Sequence, residues 1–179
     1  KYKKDAAILV KERLEYFKIG NTFAKYLACA WNPVIKIGKF LFCHGGMSLT
    51  IAKKYKITDI NTIMRDTLYG NPTHLSHDYF HELFLNQNSI LWNRIYSTEL
   101  SLQSNLIAER NLDKILSIYD VEHIVIGHTP QENGIKKRFN GKVLCIDTGM
   151  SEAFGNKVKK TERIHYLEII EEKDKRKII

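Results

Sequence analysis

Apolar residues along this chain follow first a helical and then a strand-like rhythm. Ala6, Leu9, Val10, Leu14 and Phe17 recur near the 3.6-residue period and predict a helix over residues 5–18, stopped by Gly20-Asn21. A second helix is predicted over 22–30 and broken at Asn32-Pro33. Val34-Ile35-Lys36-Ile37 and Phe40-Leu41-Phe42-Cys43, joined by a turn at Gly38-Lys39, then predict a hairpin with a buried second arm. Helices follow over 48–56, 58–68 and 76–85, the first two opened by the hydroxyl residues Ser48 and Thr58. The longest is predicted over 100–119, where Leu102, Leu106, Ile107, Leu112, Ile115, Leu116 and Tyr119 form one apolar face.

The last third alternates turns with strands predicted over 123–127, 134–139, 142–147 and 164–170, with Asn140-Gly141 the tightest hairpin signal. Helices followed by strands imply an α/β (α+β) fold over residues 1–170, with a helical insert over 48–85 near any pocket. Residues 171–179 carry mixed charge and read as a solvated tail.

Composition narrows the picture. A chain of 179 residues that is 44% hydrophobic has enough apolar material for one domain with a real core. The formal charge of +8 favours anionic partners, although on charge alone a solvated basic surface is the better reading. Cys29, Cys43 and Cys145 are odd in number and widely spaced, which argues against a disulfide framework or a zinc knuckle and fits a reducing, cytoplasmic setting. No run of about 18 apolar residues occurs, so no membrane partner is expected.

Two strand ends carry the candidate chemistry. Phe42-Cys43-His44-Gly45-Gly46 and Val125-Ile126-Gly127-His128-Thr129-Pro130 each end an apolar run in a single histidine followed by small or turn-forming residues. A strand end holds an imidazole rigidly, and two such imidazoles suggest one metal ion. Arg94, just after Leu91-Trp92, is suited to fork two hydrogen bonds onto a phosphate, or equally to pair with Glu99 or Glu109. Asp147 opens Asp147-Thr148-Gly149-Met150-Ser151, a segment able to line the same pocket, although a turn cap is the commoner use of such a sequence. His77 and His81 stand at i and i+4 as in zinc peptidases, but Asp78 replaces the longer glutamate and no third ligand follows at a suitable distance. His123 reads as a surface residue or one that supports the site from behind, His165 reads as a surface residue, and His74 receives no role.

The motifs around His44, Arg94, His128 and Asp147, in that order and spacing, resemble the C-terminal half of a calcineurin-like metallophosphoesterase, closest to the Shewanella-like branch of the phosphoprotein phosphatases. The resemblance implies a β-sandwich flanked by helices and a metal-dependent phosphatase in which water activated by two divalent ions, Mn, Fe or Zn, hydrolyses phosphomonoesters. It implies His44 and His128 as metal ligands, and Arg94, Asp147 and Ser151 around the phosphate. The implied substrate is a phosphorylated protein or a small phosphoester, rather than nucleic acid. Phosphoserine, phosphothreonine and phosphotyrosine all stay open. A dinucleoside polyphosphate hydrolase and a catalytically dead phosphate-binding relative remain alternatives. The family's Asp-x-His, Gly-Asp-x-x-Asp-Arg and Gly-Asn-His-Glu motifs are missing from this sequence. The expectation is therefore that Lys1 follows directly on the third motif, that the missing N-terminal half completes the domain, and that this chain alone is inactive.

Overall fold

The computed structural model describes residues 2–71, 77–151, 164–172 and 175–178. Five strands form one sheet in the order β1-β2-β3-β5-β4: β1 (Val34–Ile37), β2 (Phe40–Cys43), β3 (His123–Ile126), β4 (Lys136–Arg138) and β5 (Val143–Cys145). The edge pairs β1–β2 and β4–β5 are antiparallel hairpins, while β2–β3 and β3–β5 are parallel. A parallel pair needs a long crossover. Here it is supplied between β2 and β3 by α3 (Leu49–Lys54), α4 (Ile57–Tyr69), α5 (His77–Phe80) and α6 (Leu102–Tyr119).

The central strands are apolar on both faces because both faces are covered. Leu41, Cys43, Ile124, Ile126, Val143 and Cys145 join a core with Ile51 and Ala52 of α3, Ile60, Ile63 and Met64 of α4, and Leu112, Ile115 and Leu116 of α6. The alternate residues Phe40, Val125 and Leu144 face the other way and meet Leu167, Ile169 and Ile178. Those last residues belong to or adjoin a hairpin of β6 (Ile169–Glu172) and β7 (Lys175–Ile178).

Several expectations change here. The second layer of the expected sandwich is a two-stranded ribbon among the described residues, and residues 171–172 and 175–178 of the expected tail lie in its two strands. Its register sets Glu171 opposite Arg176 and Glu172 opposite Lys175. The insert packs into the core through Ile60, Leu83 and Phe84, which are fully buried. Lys54 and Arg65 are engaged within the chain, Lys54 by Glu82 at the surface and Arg65 by the carbonyl of Ala28. Thr58 does not cap α4; the Asp59 carboxylate accepts from the Lys56 backbone N–H instead. The helix predicted over 76–85 relaxes into a π-turn at His81–Leu85, closed by the bond from Asn86 N to His81 O.

The N-terminal helix α1 (Tyr2–Tyr16) forms as predicted, but Leu9, Val10 and Leu14 of its apolar face are exposed. The second, α2 (Thr22–Ala30), packs on α4 through Ala24 and Ala28.

Candidate active site

Parallel strands have their carboxyl ends on one side, and in open α/β sheets that edge is where ligands are handled. Cys43 of β2 lies opposite Ile126 of β3, so the next residues out, His44 and Gly127, are also neighbours; the amide of Gly127 donates to the carbonyl of His44 at 2.8 Å. The two imidazoles meet with His44 Nε2 3.2 Å from His128 Nδ1 and ring centroids 4.9 Å apart. β5 ends beside them and delivers Asp147 two residues beyond Cys145.

The His44 side depends on two glycines. The amides of Gly45 and Gly46 donate to the carbonyl of Ile90 at 2.7 and 3.2 Å. A Cβ on Gly45 would stand 2.8 Å from the Leu91 carbonyl and 3.0 Å from the backbone of Asn93, so the 90–94 segment lies directly on the turn. That close approach brings Trp92 and Arg94 to the histidines. The Trp92 ring meets His128 edge to face at 5.4 Å.

His128 has φ 65°, a left-handed conformation that is uncommon for a residue with a Cβ. Backbone strain of this kind clusters at functional sites. Burial pushes the pKa of its imidazole below the ordinary histidine value, the positive field of Arg94 and His44 pushes the same way, and Asp147 opposes them. A neutral imidazole is the form that ligates metal.

Arg94 forms neither of the ion pairs open to it by sequence. Glu99 is bound by Lys136 and Arg138, and Glu109 by Lys142. Among the described residues its guanidinium is exposed and unpaired, facing a cavity of about 700 Å³ lined by Leu85, Trp92, Ile95, Thr98 and Leu100. Asp147 does cap a turn, accepting from Gly149 N at 2.9 Å, while its charge is felt at His128. Ser151 closes that segment as an exposed residue.

The other histidines lie elsewhere. His123, at the opposite end of β3 from His128, stacks on Phe40 at 4.7 Å and its Nδ1 pairs with the Gly141 carbonyl. His165 is exposed and sits against Gly134. His74 and the side chain of His77 fall outside the described residues.

The site fits a divalent cation at the imidazole pair. Two nitrogens each about 2.0–2.1 Å from one ion can be at most about 4.2 Å apart, and 3.2 Å satisfies that limit. His128 also carries its other ring nitrogen, Nε2, buried and without a hydrogen-bond partner among the described residues. Among the described residues no group of three His, Cys, Asp or Glu side chains gathers around a common point. Sequence reasoning misses the supports: buried Asn93, whose Oδ1 accepts from Ile95 N, and buried Ser97, bonded to Thr129. No residue pattern signals either.

An imidazole pair and an unpaired guanidinium at the carboxyl edge of a mixed sheet define an α/β protein with a ligand site at that edge. More particularly, the chain belongs to the calcineurin-like phosphoesterase family, whose sequence profile matches residues 5–132. It is 30% identical, over 90% of its length and 72% of the other's, to an uncharacterized protein of Acanthamoeba polyphaga mimivirus. It is 32% identical to Shewanella-like protein phosphatase 1 of Plasmodium berghei, over 66% of this chain and 32% of that one. Among solved structures, a cold-active protein tyrosine phosphatase superposes with a TM-score of 0.57 at 29% identity, covering 72% of this chain and 36% of that chain. The chain thus spans about a third of the length of these two phosphatases. No helix among the described residues is long and apolar enough to cross a membrane.

Proposed function

We propose that this chain supplies the imidazole pair and the phosphate-holding arginine of a metal-dependent phosphomonoesterase that acts on phosphorylated proteins. The observation that carries this reading is the 3.2 Å approach of His44 Nε2 to His128 Nδ1 beside the unpaired guanidinium of Arg94.

His44 and His128 would hold a divalent cation, and Mn, Fe or Zn would each accept imidazole. When bound, the cation supplies Lewis acidity and lowers the pKa of water. Arg94 binds the phosphoryl oxygens through its planar fork and offsets the charge that accumulates in displacement. Trp92, edge-on to His128, keeps that ring from turning away. Asp147 and Ser151 border the phosphate on the other side. The remaining metal ligands and the general acid come from a polypeptide carrying the Asp-x-His, Gly-Asp-x-x-Asp-Arg and Gly-Asn-His-Glu motifs that this sequence lacks. Alone, the chain binds a cation and phosphate without rapid turnover.

The wall of Leu85, Trp92, Ile95 and Leu100 beside Arg94 favours a flat aromatic ester group, which supports phosphotyrosine over phosphoserine and phosphothreonine. The name of the cold-active tyrosine phosphatase points the same way.

Calorimetric titration of Zn²⁺ into the chain tests the imidazole pair. His44→Ala and His128→Ala are each expected to weaken binding at least about tenfold, in line with losing one of two ligands; unchanged binding overturns the reading. Turnover of p-nitrophenyl phosphate with Mn²⁺ is expected only when the chain is extended by a segment bearing the three motifs. Persistent inactivity of the extended protein favours a phosphate-binding relative without catalysis.

A further inference from the structure

Behind the Arg94 cavity lies a second one of about 580 Å³, between the start of α3, the 86–88 loop and α6. The two share Gln87, Asn88 and Ile95, so the Gln87–Asn88 turn is the ridge between them. The second cavity offers amides rather than charge. Its one carboxylate, Glu82, is already engaged by Lys54 at 2.6 Å and by the Tyr55 hydroxyl at 2.8 Å. The Asn86 side chain is spent on its own loop, donating to the Glu82 carbonyl and accepting from Asn88 N.

Three carboxamides remain without partners among the described residues: Gln87 and Asn88 on the ridge, and half-buried Asn111 on α6. Each carries donors and an acceptor. A polypeptide backbone presents the same pairing, one N–H and one C=O per residue. A second phosphate would call for cations, and a basic side chain for a free carboxylate; this cavity presents neither.

Building on the phosphatase reading above, we infer that this cavity is the subsite for the uncharged backbone flanking the phosphorylated residue, with Asn111 as its specificity-determining side chain. The phosphorylated side chain enters beside Arg94, and the main chain crosses the Gln87–Asn88 ridge toward Asn111. The substrate is then a polypeptide segment rather than a small phosphoester.

Calorimetric binding to the intact chain, with no need for turnover, tests this. The probes are phenyl phosphate and a neutral hexapeptide centred on phosphotyrosine. The peptide is expected to bind about tenfold more tightly. Asn111→Leu is expected to raise the peptide Kd about fivefold, the worth of one hydrogen bond, while phenyl phosphate stays within about twofold. Gln87→Ala, a change at an exposed loop position, is expected to act in the same selective way. Equal affinity of the wild type for both probes, or variants that shift both probes together or neither, overturns the subsite. Failure of the wild type to bind either probe overturns the Arg94 phosphate site itself, and the subsite with it.

Discussion

The hydroxyl of Ser97 is hydrogen-bonded to that of Thr129 at 2.8 Å, across 32 residues of sequence. Thr129 follows His128, and Ser97 ends the turn that begins at Arg94, with Ser97 N bonded to the Arg94 carbonyl at 3.1 Å. One half-buried contact therefore ties the Arg94 turn to the residue after His128. Ser97→Ala leaves the Thr129 hydroxyl short of a partner, and about 1–3 kcal/mol of stability should be lost. Urea unfolding measures that loss. Phenyl phosphate affinity should fall as well, since Arg94 is then held less firmly.

Gly45 makes a sharper prediction. Its missing Cβ leaves room for the Leu91 carbonyl and the Asn93 backbone, which would otherwise stand at 2.8 and 3.0 Å. These are backbone atoms tied to the turn by the Ile90 carbonyl, so neither side yields cheaply. Gly45→Ala should destabilise the fold by about 1–3 kcal/mol, as overpacking does. It should also weaken phosphate binding while leaving zinc affinity nearly unchanged, because His44 is held on its strand side by β2. Comparing the two titrations separates these effects.

Both predictions rest on contacts that the sequence does not announce. The strands that carry His44 and His128 are legible because an apolar run ending in His-Gly-Gly or Gly-His-Thr-Pro has few other uses. Their convergence is legible only as a suspicion, since adjacency of β2 and β3 is a property of the sheet. Asn93 and Ser97 are invisible, because a buried polar residue looks like any loop residue until its partner is placed. The apolar stripe of α1 reads as a core face, yet Leu9, Val10 and Leu14 are exposed; periodicity reports a face, and not what covers it. The terminal hairpin is missed for the converse reason. Charge dominates its composition, while the residues that dock it, Ile169 and Ile178, lie nine positions apart.

The three thiols should separate cleanly by reactivity. Burial pushes Cys43 up to about 12 and Cys145 up to about 11, so neither presents thiolate near neutral pH. Cys29 is exposed. Titration of the native protein with a chromogenic disulfide should release one equivalent quickly and the other two only in denaturant. Fast reaction of two or more would show that the β2 and β5 positions open readily.

Acid should also act on the Glu82 cluster that walls the amide-lined cavity. The bonds from Lys54 and Tyr55 hold the Glu82 carboxyl below its ordinary range. A carboxylate depressed in the folded state contributes stability that is fully present above the unfolded value of about 4.3 and is lost as pH falls through the folded value. Glu82→Gln should therefore be less stable than the wild type at pH 7, and the gap should close below about pH 4. A gap that persists unchanged into acid would mean that packing, and not charge, is what Glu82 contributes.

At His128, stability and ligation should pull apart. Its φ of 65° suits glycine and is costly for any residue with a Cβ, by about 1 kcal/mol or more. Both His128→Ala and His128→Gly remove the ring, so both should lose zinc binding at the His44 pair. Only the glycine variant also relieves the backbone. Without metal it should melt above the alanine variant, despite the greater entropy of its unfolded chain. Adding Zn²⁺ should then raise the wild-type melting temperature and leave both variants where they were, because a cation stabilises only a fold that still holds its ligands. An alanine variant more stable than the glycine one would show that the turn at 128 relaxes out of the left-handed region once the ring is gone. The strained backbone would then be set by the imidazole's contacts with His44 and Trp92, and not by the strand end that carries it.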